Sequence, residues 1–134
     1  MNLKRLGITI ITVFITILAT DFLVHHVILK DLYMQTASLW RPEMDMSGMF
    51  PWIIMGQFFT ALFFSIIFVH GYKGGGVAEG VRYGILIGGL NMGSQLIMYG
   101  VQPFPLSLTG AWIFFCFVQS MIAGVVAAKV WPGK

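Results

Sequence analysis

Charged residues and cysteine are scarce in this chain of 134 residues. Lys and Arg together number eight, Asp and Glu number five, and one cysteine, Cys116, is present. A single cysteine excludes an intramolecular disulfide and any mechanism that needs a cysteine pair. With 57% apolar residues and a mean hydropathy of +0.84, the chain also has too little polar surface to cover a soluble domain of this size.

Motifs for catalysis or cofactor binding are missing as well. The segment HGYKGGGVAEG places glycines beside Lys73, but it lacks the Walker spacing and the Ser or Thr that follows the lysine. The three histidines, His25, His26 and His70, fall near opposite ends of predicted helices, so they do not form a metal or haem site. No catalytic constellation is visible. We therefore expect no enzymatic activity, no bound cofactor and no metal.

Four long apolar stretches dominate what remains of the sequence. They cover approximately residues 6–29, 52–70, 82–100 and 106–130. A hydrocarbon core about 30 Å thick needs roughly 20 helical residues, and only a helix or a closed barrel satisfies its own backbone hydrogen bonds in lipid. The sequence predicts an all-α fold, a bundle of four transmembrane helices that forms a single domain over residues 1–134.

The basic residues lie beside the ends of these stretches and predict their orientation. Six of them fall on one side and two, Lys30 and Arg41, on the other. Because Lys and Arg concentrate in cytoplasmic segments, both termini should be cytoplasmic, in a multi-pass protein of the cell membrane, such as a bacterial inner membrane. The bilayer, not nucleic acid, is the expected partner of the net positive charge. The six residues on the first side are Lys4, Arg5, Lys73, Arg82, Lys129 and Lys134.

Small and amide residues share one face of the third helix. Lipid gives helices little reason to associate, so close backbone approach and interhelical hydrogen bonds must hold them together. Helix four offers a matching stripe that includes Ser120 and Gly124. We predict that this face packs on helix four and, because Gly89 and Gly93 lie on its opposite side, that helix three is central. The predicted packing residues of helix three are Gly80, Gly84, Gly88, Asn91 and Gln95.

Asp21 and His25 are the strongest candidates for chemistry. They are four residues apart, so they share a helix face, and ionisable residues within an apolar span indicate a functional site by default. In a functional interpretation they bind a proton, a cation or a metal, and Glu43, Asp45 or Tyr33 folds back over them. In a structural interpretation they satisfy each other or a neighbouring helix. Gln57 in the second stretch is a further amide that should face a partner helix.

Two resemblances bear on these interpretations. The segments DFLVHHVILKDLYMQTASLWRPEMDM and EGVRYGILIGG, with the last helix, resemble the layout of small bacterial four-helix integral membrane proteins of unknown function. That resemblance implies the fold and no activity. In overall plan the chain also resembles the small multidrug exporters, which use a carboxylate in helix one for proton coupling, and this implies such a role for Asp21.

Two functions follow as expectations from these observations. The first is a structural or accessory membrane component that acts by helix–helix association, as a homo-oligomer or with a larger membrane protein. The alternative is a proton-coupled transporter of a small solute that uses Asp21 and His25.

Overall fold

Helices make up all the regular structure in a computed structural model that describes residues 2–131. Four helical segments, 3–28, 43–71, 76–101 and 106–130, are long and apolar enough to cross a membrane. Lys134, which enters the charge count above, lies outside the described residues. The elements are α1 (Leu3–Asp21), a π-helix (Phe22–Ile28), α2 (Lys30–Gln35), a 3-10 turn (Ala37–Leu39), α3 (Glu43–Gly71), α4 (Gly76–Val101) and α5 (Leu106–Val130).

The first apolar stretch is helical throughout but changes its winding at Asp21. Asn2 caps α1, since its Oδ1 accepts a hydrogen bond from the Arg5 backbone N–H at 3.1 Å. After Asp21 the helix continues as a π-helix, in which the Leu29 N–H bonds to the Val24 carbonyl five residues earlier at 2.8 Å. The predicted helix over residues 6–29 is therefore α-helical to Asp21 and π-helical beyond it. Such π segments are rare and are often found at functional sites.

The second long helix, α3, begins at Glu43 rather than at the predicted residue 52. Pro42 is extended, and its carbonyl accepts bonds from the backbone N–H groups of Asp45 and Met46. Glu43 and Asp45 lie in the first turn, where negative charge stabilises a helix N-terminus. The prediction from hydropathy missed these turns because residues 43–51 include charged and small residues, although they continue the same helix.

The connection between α3 and α4 is closed by Glu79. Its carboxylate accepts hydrogen bonds from the backbone N–H groups of Lys73 at 2.7 Å and Gly75 at 2.6 Å. Gly74 and Gly76 have φ values of 90° and 62°, which a residue without Cβ adopts readily. Helix α4 therefore begins at Gly76 instead of the predicted residue 82. Helix α5 spans 106–130 as predicted.

In the bundle, α1 packs against both α3 and α5, and α4 packs mainly against α5. The prediction that the third long helix is central is therefore wrong, and α1 and α5 are the central pair. On the second glycine face of α4, a Cβ built on Gly93 would meet no atom within 4 Å, and one on Gly89 would only reach the Phe117 ring at 4.0 Å. We call the end with Leu3, Gly71, Gly76 and Val130 the terminal end, and the opposite end the distal end.

A glycine seam joins α4 to α5 in the terminal half of the bundle. Gly80 lies against the backbone of Gly124, and Gly84 lies against the backbone of Ser120 and Met121. A Cβ on Gly84 would lie 2.5 Å from Met121 Cα, a distance that real Cβ atoms do not show. The two helices therefore touch through their main chains, as small residues at a helix interface allow.

Tyr83 ties α4 to α3 at the same end. Its hydroxyl donates a hydrogen bond to the Phe64 carbonyl at 2.7 Å, and its ring meets that of Phe64 at 4.7 Å. No hydrogen bond or ring contact described for residues 2–131 joins α3 to α4 further toward the distal end. The buried core next to this contact consists of Val13, Ile17, Ala61, Phe64, Phe68, Ala123, Ala127 and Ala128.

Candidate functional site

The Asp21 carboxylate is held between two other helices at the distal end of α1. Its Oδ2 accepts a hydrogen bond from the Gln57 amide of α3 at 2.5 Å, and its Oδ1 accepts one from the Gln119 amide of α5 at 2.6 Å. Two amide N–H donors that meet two carboxylate oxygens are the partners of an ionised carboxylate, which accepts hydrogen bonds and donates none. Asp21 thus links α1 to both neighbours.

The Gln119 amide has a second set of partners on α1. Its nitrogen also donates to the Thr20 hydroxyl at 2.7 Å and approaches the Ile17 carbonyl at 3.5 Å. The Thr20 hydroxyl in turn donates to the Thr16 carbonyl at 2.8 Å. Every partner of this nitrogen is therefore an acceptor, which orients Gln119 as a donor toward Asp21.

His25 lies beside Asp21 and is also bound to Tyr33. The His25 Nε2 atom is 3.9 Å from Asp21 Oδ1, and Nδ1 is 2.6 Å from the Tyr33 hydroxyl. That hydroxyl accepts a hydrogen bond from the Trp112 indole N–H at 2.7 Å. Since the indole only donates, the Tyr33 hydrogen is free for Nδ1, and a neutral His25 then carries its own hydrogen on Nε2, facing Asp21.

Tyr33 belongs to α2, outside the four apolar helical segments, and it keeps its proton at neutral pH. Burial raises the pKa of its hydroxyl, the hydrogen bond from Trp112 lowers it, and the negative charge of Asp21 raises it again. The net direction is upward from the ordinary value for a phenol. Tyr33 is therefore a neutral donor to His25 at physiological pH.

An aromatic cluster closes the distal end above this site. The segment that follows the π-helix folds back over the site. The Tyr33 ring there contacts the rings of Trp40 and of Trp112 in α5. The Trp40 ring stacks on Phe104 at 5.5 Å and meets Trp112 at 6.0 Å. The Trp40 indole N–H donates to the Thr36 hydroxyl at 3.0 Å, which leaves no free polar group on its ring.

A cavity of about 320 Å³, partly open to the surface, lies between α1, α4 and α5 and reaches the Asp21 carboxylate. The Asp21 side chain keeps 24% of its surface exposed, so a small molecule or ion in the cavity would contact it. The volume is at the lower end of that of typical small-molecule sites. The cavity is lined by Asp21, Val24, His25, Tyr33, Gln95, Trp112, Phe115, Cys116 and Gln119.

The structure divides the residues predicted from the sequence between two places. Asp21, His25 and Gln95 line the cavity, whereas Gly80, Gly84, Gly124 and Ser120 meet in the glycine seam. Gly88 also faces α5, where a Cβ would lie 2.6 Å from the Phe117 ring. Asn91 lies between these two places and is half-buried, near the Cys116 thiol.

Two site residues were missed by the sequence reasoning. Gln119 bonds to the candidate carboxylate directly, and Trp112 holds Tyr33. Gln119 carries a signal that could have identified it, because it is an amide within a long apolar stretch and must find a partner there. Trp112 carries no such signal, since a tryptophan near a helix end is equally typical of the membrane interface.

Among residues 2–131, no three His, Cys, Asp or Glu side chains come close enough to share an ion. The cavity therefore offers one carboxylate, one imidazole and one thiol that do not converge on a common point, together with amides and aromatic rings.

No protein-family model matches this chain, and neither a curated protein nor a solved structure shows significant similarity to it.

Proposed function

We propose that this chain spans the membrane four times with both termini in the cytoplasm. The length and hydropathy of the four helices support insertion. The five described cations of the larger group lie at or near the terminal end, and Lys30 and Arg41 lie at the distal end, which supports the orientation. A bacterial inner membrane fits this arrangement. Reporter fusions at residue 45 and after the last residue should report opposite sides, and the same side for both would contradict four spans.

Within that membrane, we propose that the protein is a proton-coupled transporter of a small solute. The observation that carries this proposal is the Asp21 carboxylate, which is bonded to α3 and α5 and also open to the cavity. A group that holds three helices together and also contacts the cavity can couple cavity occupancy to helix arrangement. A purely structural carboxylate needs no cavity beside it.

Proton exchange at Asp21 would change these helix contacts directly. Protonation turns one carboxylate oxygen into an O–H donor. In the structure that oxygen accepts a bond from an amide N–H, so two donors would then face each other. The other titratable groups that line the cavity are His25, Tyr33 and Cys116; α3 and α4 contribute the amides of Gln57 and Gln95 at this level. Among these groups, Asp21 is the one bonded to both α3 and α5.

Proteoliposomes that contain a trapped pH-sensitive dye would test the transporter proposal. Amino acids, sugars, primary amines and carboxylates are added one at a time, and a transported solute should change the internal pH. Asp21→Asn should abolish this response while the protein stays folded, because the titrating group is lost and the shape is kept. Asp31→Asn is the matched control, since Asp31 is exposed on α2. An unchanged response in Asp21→Asn, or no response to any solute class in the wild type, would overturn the proposal.

A second candidate function is that of an accessory component that associates with another membrane protein or with a copy of itself. The distal half of α4 favours it, because Leu90 and Ile97 are 73% and 68% exposed and the space at Gly93 is empty. Purification in mild detergent, followed by measurement of mass and co-purifying chains, would test it. A stoichiometric larger subunit that is lost in Gly93→Leu would support this role, and a bare monomer would contradict it.

A further inference from the structure

Of the two polar atoms of the Gln57 side chain, one is hydrogen-bonded and the other has no hydrogen-bond partner among the described residues. Its nitrogen donates to Asp21 Oδ2, whereas its Oε1 atom is buried and has no hydrogen-bond partner among the described residues. A buried carbonyl oxygen without a partner costs free energy, and most such oxygens in folded proteins are satisfied. The opposite orientation of the amide would be equally compact, so the unused oxygen calls for an explanation.

The protonation state of Asp21 decides which end of a neighbouring amide is the better partner. An ionised carboxylate only accepts hydrogen bonds, so it favours N–H groups on both sides, as the structure shows. A protonated carboxyl carries one O–H, which needs an acceptor. When a proton binds, one of the two amides must therefore present its oxygen, or the new O–H faces an N–H.

Gln119 is held in its present orientation by other bonds. If it turned over, its oxygen would face the Thr20 hydroxyl oxygen, whose hydrogen is directed to the Thr16 carbonyl. The nitrogen would at the same time lose its contact with the Ile17 carbonyl. Gln57 has no hydrogen bond other than the one to Asp21, so turning it over breaks nothing else. Its oxygen then gains a partner, and its nitrogen takes the unpartnered place.

We propose that Gln57 turns its amide over when Asp21 takes up a proton on Oδ2, so that Gln57 Oε1 accepts the new O–H. This inference rests on the proposed proton exchange at Asp21 and makes Gln57 a positioning residue for it. No covalent bond changes except the one between the added proton and Oδ2. The link between α1 and α3 persists in both states with donor and acceptor exchanged, while the link to α5 stays the same. Helix α3 is then the helix whose side chain changes orientation when the proton binds.

Nuclear magnetic resonance of the full chain in lipid nanodiscs tests this proposal without any transported solute. The protein is labelled with ¹⁵N in the glutamine side chains and with ¹³C in the aspartate carboxyl groups, then titrated from about pH 2.5 to about pH 9, a range that includes ordinary carboxyl and imidazole values. The side-chain amide signals of Gln57 should shift with the midpoint of the Asp21 carboxyl signal. Those of Gln119 should keep the shift of a bonded donor. Gln35 and Gln102 are exposed internal controls.

Asp21→Asn assigns the carboxyl signal and should remove the titration of Gln57. If that variant does not fold, the wild-type titration still decides, because a Gln57→Asn spectrum assigns the amide signals independently. A Gln119 signal that follows Asp21 while Gln57 stays constant would overturn the proposal, and so would an Asp21 carboxyl that titrates while both amides stay constant.

The outcome is separable from that of the transport experiment. A Gln57 amide that follows Asp21 in a protein with no solute-dependent proton movement would support the present inference and overturn the transporter proposal. Proton-coupled transport with a constant Gln57 signal would do the reverse. An Asp21 carboxyl with no titration in this range would overturn both.

Discussion

The two halves of the bundle are held together by different contacts. In the terminal half, α4 and α5 meet through glycine backbones, and Tyr83 fastens α4 to α3. In the distal half, α4 has no helix at Gly93, and the contacts of α1 with α3 and α5 run through Asp21, Gln57 and Gln119. The first half is closed by close approach, and the second is held by hydrogen bonds around a cavity.

This difference assigns two roles to the two halves. The terminal half is rigid, and the contacts of the distal half would depend on the protonation of Asp21. Backbone contact admits no added atom, so the seam has a single arrangement. Hydrogen bonds to an ionisable group depend on its proton, so the proton exchange proposed at Asp21 would give the distal contacts two arrangements. We expect changes in the seam to affect folding and changes at the distal site to affect function more than stability.

The largest effect should come from an added methyl group in the seam. In Gly84→Ala the new Cβ would lie 2.5 Å from Met121 Cα and 2.6 Å from Met121 N, both backbone atoms that a side-chain rotation cannot move. The free energy of unfolding in detergent should fall by about 2 to 3 kcal/mol, the cost of an overpacked interface.

Gly93→Ala is the matched control in the same helix. Its Cβ would meet nothing within 4 Å, and alanine is the better helix former by about 1 kcal/mol, so stability should stay the same or rise slightly. Equal losses in the two variants would show that the seam is not where α4 and α5 meet.

A medium effect should follow from loss of a donor at the distal site. Gln119→Leu removes the N–H that binds Asp21 Oδ1 and the Thr20 hydroxyl, and an acceptor left without its partner costs about 1 to 3 kcal/mol. The loss should be smaller than that of Gly84→Ala, because the open cavity lets water reach Asp21. Gln95→Leu is the control, since Gln95 lines the cavity but has no hydrogen bond described. A Gln95→Leu loss as large as that of Gln119→Leu would contradict the assigned bonds.

The smallest effect concerns alkaline pH. The pKa of Tyr33 is raised in the folded protein, first by burial, so the folded state holds this proton more tightly than the unfolded chain does. Its contribution to stability is complete below the ordinary phenol pKa of about 10 and is lost as pH rises through the folded value. Denaturation measured from neutral to alkaline pH should show a smaller decrease in Tyr33→Phe than in the wild type. Identical pH dependences would contradict a protonated Tyr33 between His25 and Trp112.

Particular residues show how far the sequence predicts this site. Asp21 and His25 are recognisable because an ionisable pair in an apolar stretch is rare, and Gly84 is recognisable by its spacing from Gly80 and Gly88. Gln119 is separated from Asp21 by nearly a hundred positions, and no local pattern relates them. The central position predicted for the third helix is wrong because two glycine faces indicate two possible helix neighbours, whereas α4 packs mainly against α5.

By itself the sequence determines the four helices, since long apolar runs with few charges leave a helix as the structure that satisfies their backbone. It determines one glycine face by helical periodicity. Tertiary structure alone decided that α1 and α5 are central, that Gln57 and Gln119 meet the two oxygens of Asp21, and that Tyr33 returns to His25. Helix contacts depend on which faces fit each other across the whole bundle, and hydropathy along one helix contains no information about its partner.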